Sequence, residues 1–289
     1  MDAKIKWEQI RVWLLWLALP LLLGLLAAAA IPRPVIGIIY LYDAIDSYAA
    51  DNMIVQIDYA IENPEVRAVV LAFDSPGGTV VDTEAVYFEL SQLRAKKPVV
   101  VAVNGMAASG AYYLSANSDY IYAKPTSLVG NIGVIGYLPP TPFVIEDVIS
   151  TGPYKLWGAP RDSDMRQIDM IKEAFYQAVQ LGRGDKLKIE RDEILSGQIW
   201  SGIDATRMGI ADELGGESDA IKKAAELAHV SNYKVENLYV SILESLGIDP
   251  YTYVSASTFF LKTPEGATLP YPSKAGIYLL YIPQLPFQP

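Results

Sequence analysis

Three short runs rich in β-branched residues, PVIGIIYLY (34–42), VRAVVLAF (66–73) and KPVVVAV (97–103), recur through the first third of this chain. Between them lie stretches with helical spacing. Ile54, Ile57 and Ile61 repeat across 49–63, and 82–95 carries a second helical pattern. Strands that are apolar throughout need cover on both faces, and intervening helices supply it, so the alternation predicts βαβ units around a mostly parallel sheet. DYIYA (119–123) and NIGVIGYL (131–138) read as further strands. A long helix is expected over 164–182, with Met165, Ile168, Ile171, Phe175 and Ala178 on one face, and a last clear helix over 218–230. Beyond it, 231–289 is rich in tyrosine and proline and loses helical periodicity. It reads as a C-terminal extension, expected to pack on a neighbouring subunit or the rim of a ring because tyrosine-rich apolar surface favours interfaces; the alternative is that it caps the chain's own core or stays mobile.

Charge and composition remove several function classes. A formal net charge of −10 over 289 residues argues against a nucleic-acid partner, which needs clustered Lys and Arg. With no cysteine there are no disulfides, thiolate metal sites or cysteine nucleophiles. His229, the one histidine, falls near the end of a helix and is expected to be solvated rather than catalytic.

The N-terminus sets a topology. VWLLWLALPLLLGLLAAAAI (12–31) is uncharged and apolar over about the length that spans a hydrocarbon core. Lys4, Lys6 and Arg11 precede it, so the positive-inside bias predicts a cytoplasmic 1–11, a transmembrane anchor over 12–31 and an extracytoplasmic remainder, with 32–230 as the main domain. A cleaved signal peptide is the alternative; the length of the apolar run, with Trp13 and Trp16 as interfacial anchors, favours retention.

Three features can carry chemistry. In FDSPGGTVVDTEAV (73–86), Gly77 and Gly78 stand between a strand and a helix, where glycine permits unusual dihedrals and amides can face an anion. In NGMAASGAYY (104–113), small residues surround Ser109 at a second strand-to-helix turn. A helix-capping serine would look the same. In STGPYKLWGAP (150–160), Lys155 lies among Tyr154, Leu156 and Trp157, either snorkelling over an aromatic patch or desolvated into a neutral base. An ordinary lysine is neutral in only about one copy in two to three thousand at pH 7, so a base of this kind requires about 4 kcal/mol of differential solvation from its surroundings. A hydroxyl, a neutral amine and backbone amides together suffice for a Ser-Lys dyad, without histidine.

The segments LAFDSPGGTV, GMAASGAYYLSANSDYIYAKPTSLVGNIGVIG, STGPYKLWGAPRD and LSGQIWSGIDATRMGIADELGG occur here in this order. In them the chain resembles the signal peptide peptidase A family of membrane-bound serine proteases, relatives of the Clp protease subunit, from about residue 35 to 228. The resemblance implies an α/β crotonase- and Clp-protease-like fold, a parallel sheet with flanking helices preceded by one transmembrane helix. It implies Ser109 as nucleophile, Lys155 as general base, and Gly77 and Gly78 as oxyanion-hole residues with the amide of Gly110. Asn131 stands where the family has a serine that orients the lysine, and Leu156 where an aspartate is usual. Asn131 would then have to orient Lys155 with its amide oxygen. The implied function is a membrane-anchored endopeptidase clearing signal peptide remnants or other membrane-released peptides, in a homo-oligomeric ring, with no metal or cofactor. The alternatives are a related protease cutting stomatin-like partners, an inactive scaffold, and a hydratase-type enzyme on the same fold.

Overall fold

The structure, a computed structural model, describes residues 7, 11–30, 32–137, 149–152, 154, 155, 158, 160–249 and 276–280. Residues 11–30 are helical, with a wide π-type turn at Leu14–Ala18 followed by α1 (Leu19–Ala30). Pro20 supplies the physical reason for the wide turn. It has no N–H to donate and its ring presses on the carbonyl one turn back, a conflict that an extra residue in the turn relieves. No helix among the described residues is by itself long and apolar enough to cross a membrane. The leucines and tryptophans described between Trp13 and Leu26 are exposed rather than packed on the domain.

The domain begins with β1 (Val35–Leu41), α2 (Ser47–Glu62), β2 (Val66–Ser75), β3 (Gly77–Thr79), α3 (Val80–Arg94), β4 (Val99–Ala108), α4 (Gly110–Ala116) and β5 (Tyr120–Ala123). After these come β6 (Leu128–Gly130), β7 (Ile135–Tyr137), α5 (Arg161–Arg183), α6 (Arg191–Ile194) and β8 (Ile199–Ser201). The chain closes with α7 (Gly202–Arg207), β9 (Glu213–Leu214), α8 (Glu217–Leu227), β10 (Lys234–Asn237), α9 (Leu238–Ser245) and β11 (Gly276–Leu280). The main sheet has the order β10-β1-β2-β4-β5-β9, every pair parallel. At the end of β4, β6 adds in parallel and carries β8 antiparallel. A second, antiparallel sheet has the order β3-β11-β7.

Both faces of the parallel sheet are buried, as its continuous apolar runs require. Alternate residues of β2 divide between two cores. Val69, Leu71 and Phe73 join the large core under α2, α3 and α4, while Ala68, Val70 and Ala72 face Ala220, Ala224 and Ala225 of α8. The alanines on both partners let α8 lie close against the strands, and Phe73 fills the thicker side. Side-chain caps define the helix starts: Asp46 accepts from the amide of Ala49 at 2.9 Å and Thr79 from that of Asp82 at 3.1 Å.

Three sequence expectations shift. Of the strand expected over 131–138, the described residues form 135–137, because Gly130 (φ 113°) and Asn131 (φ 54°) leave the extended region; residue 138 lies outside the described residues. On α5 the apolar stripe is buried at Phe175 and Ala178, whereas Met165 is exposed. The boundary set at 230 also moves. β10 pairs with β1, and Leu238 packs so tightly on Gly37 that a Cβ there would lie 2.6 Å from a Leu238 methyl. Residues 234–245 therefore complete the sheet edge rather than extending from it. Further on, β11 pairs within its own chain; residues 250–275 and 281–289 lie outside the described residues.

Candidate active site

Ser109 stands between β4 and α4 with φ 52° and ψ −118°. A non-glycine residue held in such a conformation costs on the order of 1–3 kcal/mol, so the surrounding contacts must impose it. They do so from both sides. The Ser109 amide donates to the carbonyl of Gly130 at 2.8 Å, and the Ser109 carbonyl accepts from the Tyr113 amide at 2.9 Å. Buried Ala107, Ala108 and Ala111 close the turn around it. The residue is 1% exposed, yet its hydroxyl caps no helix amide and has no hydrogen-bond partner among the described residues. That removes the capping explanation. The geometry is that of a strained strand-turn-helix, with Gly110 opening the helix directly after the serine.

Gly77 and Gly78 meet this turn through register. Ser75 of β2 is paired with Ala107 of β4, so two residues further Gly77 and Ser109 leave neighbouring strands side by side. Gly77 needs glycine for its φ of 92°. Gly78 needs it for space, since a Cβ would fall 1.9 Å from the carbonyl oxygen of Ile45. That oxygen accepts from the Thr79 amide at 2.9 Å, and the Ile45 amide donates to the Gly77 carbonyl at 2.8 Å. The Ser75 hydroxyl donates to the Asp43 carbonyl at 2.6 Å and accepts from the Gly77 amide at 3.2 Å. The 43–45 loop thus props the glycine turn from behind. Sequence reading missed this role of Ser75, although its serine stood inside the SPGG segment; nothing in the spacing marked Asp43 or Ile45.

Asn131 follows the Gly130 carbonyl that holds Ser109. Its backbone is left-handed, a region asparagine tolerates better than most residues. Its Nδ2 donates to the Gly197 carbonyl at 2.7 Å and its amide to that of Gln198 at 2.8 Å. These two bonds fix the side-chain amide and leave its oxygen free of partners among the described residues. Lys155 lies in a turn, with its backbone amide donating to the Gly152 carbonyl at 3.2 Å and its side chain exposed. No hydrogen bond or ion pair joins it to Ser109 or Asn131 among the described residues. The structure brings Ser109, Gly77, Gly78, Gly110 and Asn131 into one neighbourhood, and the chain's own fold does not bury Lys155. Leu156 lies outside the described residues. His229, exposed and at φ 56° just past α8, ends a helix as expected.

β11 lies across the same edge. Leu280, Leu279 and Tyr278 pair with Gly77, Gly78 and Thr79, while Tyr278, Ile277 and Gly276 pair with Ile135, Gly136 and Tyr137. An extended strand fits between the glycine turn and β7.

A strained, buried serine beside a glycine turn, on a parallel α/β sheet of Clp-protease-like form, defines a serine hydrolase class. Comparison with known proteins narrows it. The family model of peptidase family S49 matches residues 91–231 and that of Clp protease matches residues 36–128. Protease 4 of Salmonella typhi is 35% identical over 200 residues, 64% of this chain and 32% of that protein. A putative protease of Methanocaldococcus jannaschii is 35% identical over 211 residues, 68% of this chain and 67% of its own length. A putative signal peptide peptidase of Enterococcus faecium is 28% identical over 210 residues, 65% of this chain and 60% of its own. The chain belongs to peptidase family S49, a family of serine peptidases that includes the signal peptide peptidase A proteins. It spans about a third of the length of Protease 4.

Proposed function

We propose that this chain is a serine endopeptidase held at a membrane by its N-terminal apolar segment, cleaving signal peptide remnants or other membrane-released peptides. The observation that carries the reading is Ser109, a buried hydroxyl in a strained turn that no structural hydrogen bond uses. In the proposed reaction neutral Lys155 takes the Ser109 proton as Oγ attacks the peptide carbonyl, and amides of Gly78 and Gly110 stabilise the oxyanion, while Gly77, whose amide donates to Ser75, shapes the turn. The proton passes to the leaving amine, and water then hydrolyses the acyl-enzyme. The side-chain oxygen of Asn131 serves to orient the amine. Because Lys155 is exposed in the single chain, the desolvation it needs has to come from a neighbouring subunit or from bound peptide, which agrees with a homo-oligomeric ring. The name of the Enterococcus faecium relative supports the substrate class. Labelling of Ser109 by a fluorophosphonate, lost in Ser109→Ala, tests the reading. Labelling that persists in that variant sinks it.

The strand β11 supports an extended peptide substrate, since it occupies the hydrogen-bonding edges of β3 and β7 that a substrate backbone would use. A chain ending at Asp249 keeps β10 and α9 but frees those edges. Its Ser109 is expected to react several-fold faster with a peptidyl phosphonate than the full chain does. Equal rates would show that substrate binds elsewhere.

Membrane attachment rests on the apolar side chains exposed between Val12 and Leu26, with Arg11 on the N-terminal side. Protease added outside intact spheroplasts is expected to degrade residues 32–289. Protection until lysis would reverse the orientation.

A further inference from the structure

The N-terminal edge of the parallel sheet gathers positive charge in a chain whose formal net charge is −10. Val35 of β1 pairs with Val66 and Ile36 with Ala68, so Arg67 is the extra residue of a bulge. The bulge turns Arg67 into solvent while its strand neighbours Val66 and Ala68 are buried. On the other side of β1, exposed Lys234 opens β10 opposite Val35. Lys96 and Lys97 precede β4, where the Pro98 carbonyl accepts from the Val69 amide at 2.9 Å. Arg33, exposed, stands two residues before β1. Lys97 serves the fold, its Nζ donating to the carbonyls of Ala60 at 2.5 Å and Asn63 at 2.7 Å at the end of α2. Burial, then the charges of Arg67 and Lys96, hold its pKa below the ordinary lysine range, so these cations lie close together. Among the described residues no carboxylate pairs with Arg33, Arg67, Lys96 or Lys234. Asp119 and Glu226 nearby are already held by Arg94 at 2.9 Å and Lys223 at 3.1 Å. That leaves Glu62 and Glu65 at this edge, outnumbered by the cations.

Chain connectivity says what this edge faces. The apolar α1 ends at Ala30 and β1 begins at Val35. Five Cα steps reach at most about 18 Å, so the basic edge is tethered beside the end of the apolar helix. We infer that this edge docks on the headgroup phosphates of anionic phospholipids and stands the domain upright on the bilayer. Each Lys or Arg close to an anionic surface strengthens attachment about fivefold, and the guanidinium groups of Arg33 and Arg67 match phosphate with paired N–H donors. β4 rises from this edge at about 3.3 Å per residue, so Ser109 at its far end stands about 30 Å above the headgroups. At that height it meets peptides that have left the lipid rather than segments still embedded in it. The inference rests on the membrane attachment proposed above and not on the peptidase chemistry.

The chain has no cysteine, so a single introduced cysteine reports position without background. The full chain is reconstituted with a fluorophore at Asn232→Cys, beside Lys234, or at Ser47→Cys, exposed at the opposite end of the sheet. The vesicles are phosphatidylcholine alone or an equal mixture with phosphatidylglycerol, each with a nitroxide-headgroup lipid that quenches at short range. Quenching at Asn232→Cys is expected to be at least twofold greater in the mixed vesicles, with Ser47→Cys unquenched in both. The gain should vanish in molar salt, where charges are screened beyond about 3 Å, and in the combined Arg67→Gln, Lys96→Gln and Lys234→Gln variant. Equal quenching at Asn232→Cys in the two membranes would overturn the inference. So would a gain that survives molar salt or the triple replacement, or quenching at Ser47→Cys equal to that at Asn232→Cys. Flotation reads the anchor separately. A chain that floats with neutral vesicles but shows no gain keeps the anchor and loses the docking, and one that floats with neither membrane loses both.

Discussion

Replacing Ser109 with alanine is expected to lower peptide hydrolysis by about four to six orders of magnitude while leaving the domain folded. The fold survives because the hydroxyl supports nothing: it caps no amide and has no partner among the described residues. If Lys155 is the base proposed above, Lys155→Ala costs a similar factor, and the double variant no more than either single one, because a nucleophile and its base act as a unit. Ser109→Gly adds a sharper test. Glycine adopts a φ of 52° without strain, so this variant should be as inactive as Ser109→Ala yet more stable by about 1 kcal/mol. Hydrolysis by Ser109→Ala above about a hundredth of the parent rate would assign the chemistry to another nucleophile. Loss of stability in Ser109→Gly would show that the turn is not strained.

The sheet was legible in the sequence because its signal is local. β1, β2 and β4 are continuous apolar runs, and a strand buried on both faces can be written in few other ways. The glycine turn and Ser109 were legible for a related reason, since small residues clustered where a strand meets a helix mark backbone that must turn sharply. What stayed hidden depends on contacts between segments far apart in the chain. Ile45 reaches Gly78, the Gly197 carbonyl reaches Asn131, and β11 reaches the edges of β3 and β7, none of them marked by spacing. The break at Gly130 and Asn131 was hidden in the opposite way. A run of Ile, Val and Gly reads as strand, and only the paired left-handed residues show that the chain turns to hold the Ser109 amide. β10 escaped because Lys234–Asn237 is a polar edge strand, with few apolar residues to announce it.

Asp212→Asn is expected to destabilise the domain by about 3–5 kcal/mol, lowering its melting temperature by about 10 °C. Asp212 receives Arg183 Nη1 at 2.7 Å and Lys186 Nζ at 2.7 Å, and it also accepts from the Ile121 amide at 2.8 Å. Arg183 is buried, and its Nε donates to the Gly209 carbonyl at 2.9 Å. One residue along, the Ile210 carbonyl accepts from the Tyr112 hydroxyl at 3.0 Å, so this knot supports the far side of α4, the helix that starts at Ser109. Removing the carboxylate charge strands a buried guanidinium, which is costlier than losing the pair altogether. The double replacement Asp212→Leu with Arg183→Met should therefore recover much of the loss. Burial opposes ionisation of Asp212, but Arg183 and Lys186 outweigh it and hold its carboxyl below the ordinary range. A carboxylate shifted downward stabilises the fold at every pH above its unfolded value of about 3.9, and that contribution fades as pH falls through the folded value. Between pH 5 and 8 the gap in melting temperature between parent and Asp212→Asn should be constant, and it should close on acidification below about pH 4. A gap that persists unchanged at pH 2 would mean that asparagine harms packing at this site rather than charge.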